Sequence, residues 1–206
     1  MKMLISSFFL LFIAFSTSAQ ATEMAIAKVE YTFSHIRDTT EPDKPYQENM
    51  VLIIGKNASR YLSLDAITER VRMDKMMQKQ MSEQQGGNLK IDMGRMKPVS
   101  RDEYFYFTKE NKLLVQQRLM NTYLIEEPDN NIDWKITNDT MSFEGIHCQK
   151  ATAHYKGRNW IAWYATELPF QSGPWKLNGL PGLIIDAYDD KNEVKFQFAG
   201  MQMIKD

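Results

Sequence analysis

His147, Cys148 and His154 are the side chains in this sequence best suited to nucleophilic or metal chemistry, and they lie close together along the chain. A thiol activated by an imidazole needs the two groups in contact. In a strand, neighbouring residues face opposite sides, and residues six apart are separated by about 20 Å. His147 therefore faces away from Cys148, and His154 stands too far along to reach it. Cys148, the chain's single cysteine, is expected to be a small buried hydrophobe. Met73, Met76, Met77, Met81, Met93 and Met96 form a second set. Thioethers favour soft Cu(I), so copper handling through Met73, Met76, Met93, Met96 or His154 is one functional reading. Methionine also fills cores and grooves, and that reading is preferred here; no metal ligand is assigned. Asp129, Asn131 and Asp133 open a calcium-loop pattern that Trp134 breaks at the required glycine and Thr140 breaks at the bidentate glutamate. No GxSxG, HExxH or glycine-rich phosphate loop is present. No catalytic residue and no cofactor follow from these residues, and the expectation is a non-enzyme.

The elements that carry these side chains read as mostly β. Ala27, Val29, Tyr31 and Phe33 alternate with Lys28, Glu30, Thr32 and Ser34, the period of a strand with one wet face. Further strands are expected at 49–56, 59–63, 104–108, 113–118, 122–126, 132–137, 141–143, 148–155, 158–166, 183–188 and 193–199. Lys156-Gly157 marks a tight turn. Residues 64–85 lack glycine and proline and are rich in good helix formers. Ile67, Val71, Met77 and Met81 fall within about 120° of its circumference, an expected buried stripe, while Met73 and Met76 point elsewhere. Many short strands with regular turns predict a mainly β fold with one helix: a curved antiparallel sheet, or a half-open barrel, packed on that helix.

Lys2, an apolar run from Leu4 to Phe15 and small residues from Ser16 to Ala21 have the layout of a cleavable export signal, with cuts possible after Ala19 or Ala21. The apolar run is too short to span a bilayer, which takes roughly 20 residues. The expectation is a leader at 1–21 and one domain at 22–206, soluble in the periplasm or secreted, with no lipid anchor because no cysteine stands at the cut. Losing Lys2 leaves 24 basic against 26 acidic residues, which argues against nucleic acid as a partner. Hydrophobic content of 43% and aromatic content of 12% suit a folded domain.

The most distinctive stretch is WIAWYATELPFQSGPWKLNGLPGLIIDA, residues 160–187, a strand, a loop and a strand broken by Pro169, Gly173, Pro174, Gly179, Pro181 and Gly182. Its motif Gly179-Leu180-Pro181-Gly182-Leu183-Ile184, with the approach Gly173 to Asn178, Trp163-Tyr164-Ala165 and Cys148-Gln149-Lys150-Ala151, resembles the GLPGLI family of exported Bacteroidota proteins. The resemblance implies an exported β-rich protein, often encoded beside outer-membrane receptors of the TonB-dependent type, and brings no catalytic site. On the residues, two readings of the loop stay open: a rigid structural bend, or a recognition loop presenting exposed Leu180 and Trp175. The binding candidates are Trp175, Leu180, Met73 and Met76. The expected function is an exported envelope binding or accessory protein for an apolar ligand, a peptide or an outer-membrane receptor, with copper handling as the alternative. Asp38-Thr39-Thr40 and Asp139-Thr140-Met141 have the form of short O-glycosylation acceptor sites.

Overall fold

The computed structural model describes residues 23–83, 98–128 and 131–204. The leader, Met93, Met96 and Asp129 lie outside them. Eleven strands and one helix follow the chain: β1 (Ala27–His35), β2 (Tyr46–Ile54), β3 (Ala58–Ser63), α1 (Leu64–Glu83), β4 (Glu103–Phe107), β5 (Lys112–Arg118), β6 (Thr122–Glu126), β7 (Lys135–Phe143), β8 (Ile146–Tyr155), β9 (Arg158–Ala165), β10 (Leu183–Asp189) and β11 (Val194–Met203). All eleven strands join one sheet in the order β6-β5-β4-β3-β2-β1-β11-β10-β9-β8-β7. Two antiparallel meanders, β1–β6 and β7–β11, are welded where the first strand pairs with the last. That seam runs from Ala27 opposite Met203 to His35 opposite Val194.

The order dictates curvature. β6 and β7 are the two outer edges, yet only residues 127–134 connect them. Ten strand spacings of about 4.8 Å would hold the edges of a flat sheet about 48 Å apart. Eight residues and their flanking bonds reach about 32 Å at full stretch. The sheet is therefore rolled, and the described ends of the connector lie against it. There Glu127 N–H donates to Leu113 O (2.9 Å) and Ile132 and Trp134 pack on the core. Neither edge pairs with the other, so the roll is open.

Alternation puts Ala27, Val29 and Tyr31, all fully buried, on the inner face, with Leu52 and Met50 directly opposite on β2. One strand, β7, stands where two were expected at 132–137 and 141–143. The polar Asn138-Asp139 pair does not turn the chain but shifts its register against β8 between Ile136 and Thr140. Asp139 is held in place by Lys150 (3.1 Å).

The helix departs further from expectation. Ser63 caps it: its Oγ accepts the Ala66 N–H (2.9 Å) and donates to Glu48 Oε1 (2.5 Å). Asp65 in the first turn accepts from the Asn49 side chain (3.0 Å), tying the helix to β2. Beyond that turn it stands clear of the core. Ile67, Val71, Met77 and Met81 are 39–65% exposed, so the expected buried stripe is corrected. Periodicity established an apolar side, but no layer lies against it among the described residues. The inner face of the sheet is covered instead by the loop between β9 and β10.

Candidate binding cleft

The loop at 166–182 is held by its own backbone and by steric necessity. Leu183 N–H donates to Leu168 O (2.9 Å) and Ile184 N–H to Ser172 O (3.0 Å), closing the loop at its base. Gly179 takes φ +85°, a conformation that a side chain disfavours. A Cβ on Gly182 would collide with the Ala165 carbonyl. These two turns drive Leu180 inward, where it is 1% exposed beside Leu177, Leu183 and Ile184. Tyr31 Oη donates to Ile184 O (2.6 Å), fastening the motif to the central strand. The Trp134 indole donates to Asn178 O (2.8 Å), fastening the loop to the connector. The expectation of an exposed Leu180 is therefore corrected: the GLPGLI segment is a plug in the core.

Trp175 has the other fate. It adopts φ +56° and remains half-buried. Its ring lies nearly parallel to Phe196 (centroids 6.5 Å, 15°), and Phe33 stacks on Phe196 from β1 (5.2 Å, 21°). Trp160 packs against both Trp175 (5.8 Å) and Phe196 (6.0 Å). The Trp175 side chain is also hydrogen-bonded to Tyr104 of β4, so the loop of the second meander meets the first. Together these rings floor a cleft of about 530 Å³ that also has Tyr61, Ser100 and Met50 in its walls. That volume lies within the usual range for small-ligand sites, about 300–1,000 Å³.

The rim is cationic: Arg37, Arg101, Lys156 and Arg158 line it, with Asp102. Lys156 pairs with Glu127, and Lys176 reaches the same carboxylate from the loop. Burial pulls the Glu127 pKa upward, but the two lysines outweigh it and hold the carboxyl below its ordinary range. Arg158 is bound to Asp189 and to Glu193 (2.9 Å), and Asp189 also accepts the Glu193 and Val194 N–H groups. Buried Glu48 accepts from Tyr46, Ser63 and both the N–H and hydroxyl of Ser100. His35 titrates below its ordinary value, through burial first and then Arg158 and Arg37. The Tyr61 hydroxyl is buried with no hydrogen-bond partner in the structure. Burial, with Tyr31, Tyr104 and Glu48 nearby, keeps it protonated.

Of the four binding candidates, Trp175 alone reaches this cleft. Met73 and Met76 lie half-buried on α1 and do not line it. The Arg72 guanidinium sits 3.9 Å from the Met76 sulfur, an unfavourable neighbour for a metal cation. Cys148 is 2% exposed, and burial raises its thiol pKa to about 11, the wrong direction for a nucleophile. The His154 ring hydrogen-bonds Asn159 (2.8 Å). Asn131 of the failed calcium pattern accepts from Asn111 (2.5 Å). Among the described residues no three His, Cys, Asp or Glu side chains converge as a metal site. Sequence reasoning missed Phe33, Tyr61, Tyr104, Arg37 and Arg101; the only hint was aromatic alternation in the first and last strands.

A family model described as "Protein of unknown function (Porph_ging)" matches residues 54–186. No curated protein matches the sequence. The fold is shared with the solved structure of PNGF-II in the P21 space group, at 13% identity and TM-score 0.59, covering 89% of this chain and 29% of that one. PNGF-II in the C2 space group gives 16% identity and TM-score 0.58, covering 89% and 28%. The chain thus spans less than a third of the length of those proteins.

Proposed function

We propose, from the premise that this chain belongs to the Porph_ging family of proteins of unknown function, that it is an exported binding or accessory module of the cell envelope that takes a small apolar ligand in its inner cleft. One observation carries the proposal: a rolled sheet whose inner face keeps a cleft of about 530 Å³ open, floored by stacked rings and rimmed by cations. A packed core would fill such a space. The GLPGLI resemblance, whose motif lies inside the matched region, supports the envelope assignment and names a TonB-dependent outer-membrane receptor as the associated partner. In this reading the motif does not touch the ligand. It locks the loop so that Trp175 is presented.

The test is titration of the protein, purified from cells expressing the full chain, with the uncharged fluorophore N-phenyl-1-naphthylamine. Saturable binding at one site is expected, weakened at least tenfold by Trp175→Ala and unchanged by Val71→Ala on the exposed helix. Absence of saturable binding, or equal binding by a natively folded Trp175→Ala variant, would remove the cleft reading. N-terminal sequencing of the same material tests export, with a first residue at Gln20 or Thr22 expected.

A further inference from the structure

A count of donors and acceptors around the cleft narrows the ligand, resting on the cleft reading above. Three of the four carboxylates nearby are spent, and the fourth, Asp102, takes a single hydrogen bond among the described residues. Glu48 receives four donors, Asp189 receives two backbone N–H groups and Arg158, Glu127 receives two lysines, and Asp102 accepts the Gln117 amide (3.2 Å). The donors are not all spent. Arg101 has no ion pair or hydrogen bond to a described residue. The Arg37 guanidinium lies 3.6 Å above the Tyr46 ring, and among the described residues its N–H groups have no hydrogen-bond partner. Tyr61 in the wall is 2% exposed, and its hydroxyl is buried away from the open space. The rim therefore keeps two guanidiniums that no carboxylate among the described residues neutralises, and what they lack is an acceptor with negative charge.

The apolar part has a shape as well. Trp175, Phe196 and Phe33 stand in a near-parallel stack, with interplanar angles of 15° and 21°. Only Trp175 and Phe33 are partly open, so the stack offers flat ring faces more than a tube. Offset stacking rewards a planar partner beyond its buried area.

We propose that the cleft binds an aromatic carboxylate, its ring laid against Trp175 and its carboxylate received by Arg37 and Arg101. The rim guanidiniums draw the anion in, and the rings set which anion stays. An aliphatic acid satisfies the cations but gives up the stacking; a neutral arene does the reverse.

Four probes separate these contributions in titrations followed by tryptophan fluorescence and calorimetry: 2-naphthylacetate, 2-naphthaleneethanol, 2-naphthylmethylammonium and octanoate. The expected order puts 2-naphthylacetate at least tenfold tighter than the alcohol, with the ammonium weakest and octanoate well below the naphthyl acid. Arg37→Gln and Arg101→Gln should each weaken 2-naphthylacetate about fivefold and leave the alcohol unchanged. Equal affinity for acid and alcohol, both lost in Trp175→Ala, overturns the carboxylate inference and leaves the apolar cleft standing. Octanoate binding as tightly as the naphthyl acid overturns the aromatic preference. No binding by any probe overturns the inference and the cleft reading together.

Discussion

The loop at 166–182 and the helix α1 each carry large apolar side chains; the helix stripe was expected to be buried, and the loop to be either a rigid bend or a presented surface. The fold treats them oppositely. Leu177 and Leu180 of the loop are 1% exposed, while Ile67, Val71, Met77 and Met81 of the helix are 39–65% exposed. The loop has no regular hydrogen-bond ladder, yet it is the better-fixed region, because glycines at two sterically forced positions and backbone contacts at its base leave it one conformation. The helix satisfies its own backbone internally and needs no neighbour to form. Regular structure and burial are thus independent in this molecule, and the irregular segment is the one that builds the cleft.

The sharpest way to break that contrast is Gly182→Ala. The added methyl meets the Ala165 carbonyl, which is backbone and cannot swing aside. A loss of more than about 3 kcal/mol in urea unfolding is expected, enough to deplete folded protein. Leu180→Ala should follow at about 2–5 kcal/mol, the range for emptying a buried leucine site. A near-neutral Leu180→Ala would restore the view that this side chain is presented rather than packed.

How far this was legible differs between elements. Ten of the eleven strands follow from period-two alternation and turn residues, because those are local signals; β7 was expected as two strands. The weld of β1 to β11 is not local: its residues are more than 150 positions apart, and many strand orders satisfy the same pattern. Without that pairing, Phe33 and Phe196 cannot be placed together, and the cleft they floor stays invisible. Arg37 and Arg101 were hidden for the same reason, each lying in a connector between strands with no local signal that it faces a cleft. Leu180 was misjudged because proline and glycine beside a leucine suggest a loop tip. The positive φ at Gly179 reverses the direction in which the leucine points. The helix stripe was misjudged because periodicity gives the direction of an apolar face but not whether anything lies opposite it.

Asp186 offers a measurement inside the buried region. Burial raises its pKa to about 6, against the opposing pull of Lys195 and the Phe198 N–H. A carboxyl whose folded pKa exceeds its unfolded value favours the folded state only while protonated. That contribution is complete below about pH 4 and is lost as pH rises through 6. Asp186→Asn should therefore stabilise the protein at pH 7.5 by about 1–2 kcal/mol and change little at pH 4. Unfolding series at four pH values check this; a uniform shift at every pH would show that the amide acts through packing and not through charge. At the start of α1, Ser63→Ala removes the helix cap and one donor to Glu48. About 1–2 kcal/mol is expected, with reduced helical ellipticity.

The smallest effects belong to the helix. Ile67→Gln, Val71→Gln, Met77→Gln and Met81→Gln keep good helix formers in place and remove only exposed apolar surface. Each should change stability by no more than about 0.5 kcal/mol, as surface substitutions do. The four combined should fold with the same ellipticity, because no described side chain depends on theirs. Urea unfolding of the fourfold variant, run at two protein concentrations, decides the matter. A loss above about 2 kcal/mol that does not depend on concentration would mean that the stripe is covered within the chain, and the contrast between loop and helix would fall. A loss that appears only at high concentration would mean that a second copy covers it. Stability unchanged at both concentrations, beside a Leu180→Ala variant that unfolds readily, would show that apolar residues of similar size stabilise this fold according to what lies against them and not according to the element that carries them.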